Sequence, residues 1–111
     1  MIIGTFILDF QTIDFELDSK ITVDLLSGYQ RMCKLEHSFA LDPPIQSLGW
    51  SFAKLFLAGE LVEIIYRHHT SDIETSKGKK FENKFISWLQ RELRNMGCGA
   101  QIKLAPEMKF I

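Results

Sequence analysis

Three groups of residues in this chain carry side chains that do chemistry. The first is His68 and His69, with Ser71 and Asp72 beyond them and Glu63 before them. These types suit general acid–base catalysis or a nucleophilic triad, and His37 could join them at a metal. The spacing supports neither. On a strand over about 61–68, adjacent side chains point to opposite faces. His68 and His69 then cannot converge on one ion. A triad is assembled from separate segments, not from neighbours in one loop. All three histidines are therefore read as structural. A small hydrolase-type enzyme using His68 or His69 with Glu63 or Asp72 is the enzymatic alternative. No catalytic residue, metal or cofactor is assigned.

The second group is Ser76-Lys77-Gly78-Lys79-Lys80. It is not a phosphate loop, because that pattern needs Gly at position 73 and Ser or Thr at position 80, where Ile and Lys stand. Lys77, Lys79, Lys80 and Lys84 still gather where a helix is expected to begin. The helix dipole already places positive charge there, so cations cost a few tenths of a kcal/mol each. The same geometry suits an anion, such as a phosphate or a nucleic-acid backbone. Phe81, Phe85 and Trp88 lie among these lysines and could stack bases. Their spacing assigns them to a core-facing stripe instead. Arg91 and Arg94 fall near the helix C-terminus, where the dipole welcomes them.

The third group is acidic. Asp9, Asp14, Glu16 and Asp18 precede the first basic residue, Lys20. They occupy the outward positions of a strand pattern and form a candidate docking face for a basic protein. The bland alternative is an ordinary solvated strand face. The two cysteines add little. Cys98 follows a helix C-terminus, which disfavours a thiolate, and Cys33 reads as a core residue.

The elements that must position these groups follow from periodicity. Residues 2–18 read as β structure. Phe6, Leu8 and Phe10 alternate, and Ile13, Phe15 and Leu17 alternate one step out of phase. That slip implies a hairpin or a bulge near Gln11-Thr12, and the poor turn chemistry of Gln-Thr favours the bulge or a longer loop. Asp18-Ser19-Lys20 reads as a turn, with a short strand at Ile21, Val23 and Leu25. A helix is expected at about 28–40, opened by Ser27 and Gln30 as a capping box. Asp42-Pro43-Pro44 ends it and starts another, with Ile45, Leu48, Phe52, Leu55 and Phe56 on one face and Gly59 at its end. Residues 61–68 are expected to form a strand because they are β-branched and aromatic. Residues 70–78 read as a polar loop, although Ser71 to Glu74 fits a capping box. Phe81, Phe85, Trp88, Leu89, Leu93 and Met96 give the cleanest helical stripe, closed by Gly97. Ala100, Ile102 and Leu104 form a last strand, stopped by Pro106.

The sum is a single α+β domain over residues 1–111. N-terminal antiparallel strands, about three helices and a C-terminal strand make one sheet layer packed on helices. With 111 residues and 46% hydrophobic content the chain can build a real core, and an ordered fold is expected. The net charge of −1 hides a split. Residues 1–76 hold 5 Lys or Arg against 11 Asp or Glu, and residues 77–111 hold 8 against 3. Lys54 and Glu60 interrupt the apolar stretch after Pro43 well short of the ~18 residues a membrane span needs. The N-terminus lacks a basic leader. A cytoplasmic protein with free thiols is expected.

Size, charge split and the missing catalytic constellation point to a non-catalytic protein-binding module. Its sharper form is a small inhibitor or immunity-type protein that neutralises a basic toxin or nuclease through the acidic face. Anion or nucleic-acid binding through Lys77–Lys84 is the alternative, although the overall charge lacks the footprint of a dedicated nucleic-acid binder. A homodimer through strand pairing requires the first strand to be an open edge.

Overall fold

The computed structural model describes residues 4–106. Ile2 and Ile3, the expected start of the first strand, lie outside the described residues. The architecture is α+β: one open antiparallel sheet packed on one side against helices. In chain order it runs β1 (Phe6–Thr12), α1 (Phe15–Met32), β2 (Phe39–Leu41), β3 (Ile45–Ser47), β4 (Trp50–Leu57), α2 (Gly59–His68), α3 (Thr70–Glu74), α4 (Phe81–Asn95) and β5 (Gln101–Leu104). Across the sheet the order is β2-β4-β1-β5, and β3 continues the β2 side along β4.

β1, α4 and β5 stand where periodicity puts them. Phe6, Leu8 and Phe10 enter the core from β1. Phe85, Trp88, Leu89 and Leu93 meet them from α4. Phe6 sits edge-on to Phe85 at 5.6 Å and to Phe81 at 6.1 Å, a favoured aromatic geometry. Gly97, at φ +90°, follows the α4 C-cap in the left-handed conformation that ends helices. Met96 leaves the expected stripe and is exposed.

Six elements, α1, β2, β3, β4, α2 and α3, differ from the sequence expectation. The phase slip at Gln11-Thr12 is neither hairpin nor bulge; the strand ends there and a helix begins. Asp14 caps α1, its carboxylate accepting from the Leu17 amide at 3.2 Å. The buried side of α1 is Asp18, Thr22 and Leu26, so its helical stripe is partly polar. Ile21, Val23 and Leu25 then mimic a strand, and the expected helix at 28–40 holds the end of α1, a connection and the start of β2.

Asp42-Pro43-Pro44 starts no helix. Leu41 pairs with Leu55 and Ile45 with Phe52, so these three residues oppose Ala53 and Lys54. That is a β-bulge, where missing proline donors do no harm. β4 replaces the expected second helix. Ser51, Ala53, Leu55 and Leu57 face inward, while Trp50, Phe52 and Phe56 alternate with them on the other face. Apolar residues on both faces conceal the period of two. Residues 61–68 form a helix, not a strand, because Leu61, Val62 and Ile65 make a helical stripe against the core. Packing overrides their β propensity. Within the expected loop at 70–78, the capping-box pattern becomes the short α3, which buries Ile73.

Candidate functional site

The histidine constellation does not assemble. His68 is exposed at the end of α2, Asp72 is exposed on α3, and Glu63 pairs with Arg67 one turn along its own helix. His37 is exposed at φ +54° in the connection after α1. His69 alone is half-buried, where α2 passes into α3. Its Nε2 is 2.7 Å from the Tyr29 hydroxyl, and its ring lies 4.9 Å from that of Trp88. Burial, helped by the Glu92 charge, pushes the Tyr29 hydroxyl above its usual pKa. This contact ties α1 to the α2–α3 corner across 40 residues of sequence and has no local signal. Among the described residues no cluster of three or more His, Cys, Asp or Glu is placed to hold a metal ion.

Cys98 is buried, its sulfur 3.8 Å from the Thr22 hydroxyl, and burial chiefly pushes its thiol above the ordinary range. Cys33 is the C-cap of α1. Both thiols are free.

The lysine cluster surrounds the start of α4, with Lys80 as N-cap. Gly78, at φ +140°, lies against the first turn; a Cβ there would meet the Asn83 Cβ at 2.6 Å. The loop is therefore pressed onto the helix, and Ser87 holds it by donating to the Lys77 carbonyl at 2.9 Å. Lys84 turns away to Glu74, which also accepts from the Tyr66 hydroxyl. Lys77, Lys79 and Lys80 remain exposed. Phe85 and Trp88 are core residues and Phe81 is half-buried against them.

The four acidic residues do not share a strand face. Asp14, Glu16 and Asp18 belong to α1, Asp14 as its cap and the other two in its first turn. Asp18 is only 3% exposed. It accepts from the Thr12 hydroxyl and from the Gly99 amide at 2.9 Å, pinning β1, α1 and the α4–β5 loop together. Only Asp9 stands on the sheet, paired with Lys54.

The outward face of the sheet is the surface that sequence reasoning missed. Its strand register aligns side chains in rows. Lys103 on β5 faces Asp9 on β1, Asp9 faces Lys54 on β4, and the Asp42 amide bonds to the Lys54 carbonyl at 3.0 Å. On one side lies the row Gln101, Gln11, Phe52 and Ile45. On the other lie Ile7, Phe56 and Ala40. The bulge raises a wall beside these rows, leaving a groove of about 420 Å³ whose lining includes Asp9, Asp42, Pro43, Phe52, Lys54 and Lys103.

The β3–β4 hairpin extends this face. Ser47 pairs with Trp50, so Leu48-Gly49 is a two-residue turn, with both φ values positive at +52° and +82°. That is the I′ turn favoured in hairpins, but Leu in the first position is unusual. Leu48 is 98% exposed, Ile45 75% and Ile13 73%; Trp50 and Phe52 are also exposed. Alternation of large and small residues in Trp50-Ser51-Phe52-Ala53 is the signal that could have found this strand.

Both sheet edges are guarded. Gln90 on α4 donates to the Ala100 carbonyl and accepts from the Ile102 amide, each at 2.8 Å, covering the outer side of β5. The β2–β3 edge is broken by the proline bulge. β1 is an interior strand between β4 and β5, so the condition for a homodimer through its edge is not met. No helix among the described residues is long and apolar enough to cross a membrane. The chain matches none of the family models, curated proteins or solved structures compared with it.

Proposed function

We propose that this protein is a non-catalytic protein-binding module whose contact surface is the β3–β4 hairpin with the adjoining open face of the sheet. Leu48 carries the reading. A large apolar side chain stands almost wholly in water at a hairpin tip, on a backbone conformation that costs roughly 1–2 kcal/mol for a residue with a Cβ. Glycine would fit that position better, so nothing in the fold asks for leucine. Ile13, Ile45, Trp50 and Phe52 support it as an apolar patch around the tip, the composition of a contact surface. The dispersal of the histidines favours binding over catalysis. A toxin or nuclease as partner is not part of the proposal, because Asp14, Glu16 and Asp18 are accounted for by helix capping, the helix dipole and burial.

Leu48→Gly separates binding from folding. It removes the side chain and relieves the backbone. The variant should match or exceed the parent in thermal stability and capture much less of its partner from an extract of the native host, with the captured proteins identified by mass spectrometry. Equal capture of the same protein by both chains would refute the hairpin reading.

A further inference from the structure

The open face carries a row of four charges whose signs alternate across the sheet: Lys103, Asp9, Lys54 and Asp42. All four line one groove. At ordinary strand spacing the row spans about 14 Å. Its order has a symmetry consequence. A two-fold axis running along the strands, between β1 and β4, turns the row end for end. Positive then lies over negative at every place: Lys103 over Asp42 of the second copy, and Asp9 over Lys54 of the second copy. An isologous interface demands this kind of self-complementarity. A row of one sign, or one with like charges at both ends, would repel its own copy.

We propose that the occupant of this face is a second copy of the chain, docked sheet to sheet about that axis. The same operation lays Ile7 over Phe56 of the second copy and Gln11 over its Phe52. The apolar side chains supply burial, and the charges fix register more than affinity. Among the described residues neither Lys103 nor Asp42 has a side-chain hydrogen bond or ion pair, so the outer charges of the row await partners. The internal Asp9–Lys54 pair gains opposite charges above it, which makes the contact a two-by-two checkerboard. Face-to-face packing also agrees with the guarded edges, which disfavour strand addition.

This inference rests on the open face being a contact surface, but not on the hairpin tip binding another protein. Sedimentation equilibrium of four chains tests it. The parent should dimerise. Lys103→Glu and Asp42→Lys should each weaken dimerisation at least about tenfold, since each sets like charges over one another twice. The double variant Lys103→Glu/Asp42→Lys should recover it. Mixing the two single variants should also recover it, as a heterodimer, because the new carboxylate at position 103 of one chain then meets the new ammonium at position 42 of the other. A parent chain that stays monomeric at millimolar concentration overturns the proposal, and so does a dimer that neither single variant weakens. Both results leave the hairpin reading untouched, because Leu48→Gly tests that one separately.

Discussion

The buried side of α1 and the open side of the sheet break the same rule in opposite directions. On α1, Asp18 and Thr22 occupy the places where a helix normally sets apolar side chains. On the sheet, Ile45, Trp50 and Phe52 occupy places that water normally claims from polar ones. The first inversion is compensated inside the molecule. Asp18 receives the Thr12 hydroxyl and the Gly99 amide, and Thr22 donates to the Asp18 carbonyl at 2.8 Å. The second has no compensation within the described residues. A buried polar group with all its partners is architecture. An exposed apolar patch without partners points outward, to another molecule.

The largest effect should come from breaking the inner inversion. Asp18→Ala leaves the Thr12 hydroxyl and the Gly99 amide without their acceptor, and should cost about 3 kcal/mol in urea unfolding. For a chain of this size that is roughly a 15 °C fall in thermal midpoint. Asp18→Asn keeps the shape and one acceptor and should cost about half as much. A loss below about 1 kcal/mol for the alanine variant would mean that Asp18 is not a structural tie.

A smaller effect should appear at alkaline pH. Burial holds the Cys98 thiol neutral in the fold, with its pKa above the ordinary 9.0. A raised pKa means that the unfolded chain loses this proton first. Its contribution is therefore complete below about pH 9 and fades as pH rises through the folded value. Tyr29, raised chiefly by burial, acts in the same direction at higher pH. Cys98→Ala should flatten the fall in unfolding free energy between about pH 8 and about pH 10 relative to the parent. Parallel curves for the two chains would remove Cys98 from that fall.

The smallest effect belongs to the outer inversion. Leu48→Gly should leave unfolding free energy unchanged or raise it by up to about 1 kcal/mol, since relief of the left-handed backbone offsets the entropy of glycine. A clear destabilisation would show that Leu48 packs within its own fold.

The two inversions also explain what was legible in the sequence. β1, α4 and β5 obey the rule of apolar inside and polar outside, and their periods could be read directly. α1 was hidden because Asp18 and Thr22 interrupt its stripe, leaving Ile21, Val23 and Leu25 to imitate a strand. β4 was hidden because Trp50, Phe52 and Phe56 make its outward face as apolar as its inward one. α2 was hidden because Val62, Ile64 and Ile65 favour strands until the core claims one side of them. The candidate site was less legible still. Lys54 and Lys103 are unremarkable in sequence and gain meaning only when the register sets them on either side of Asp9. The acidic run was visible, but helix capping, the helix dipole and burial divide its members among separate tasks.

The claim that a second copy docks on the open sheet face is tested most directly by hydroxyl-radical footprinting of the parent chain at low micromolar and at millimolar concentration. Met32 and Met96, exposed on the helix layer, serve as the opposite face within the same molecule. Ile45 and Phe52 should become protected as concentration rises while Met32 and Met96 stay equally reactive. Protection of the two methionines, or unchanged reactivity on the sheet face, would contradict it.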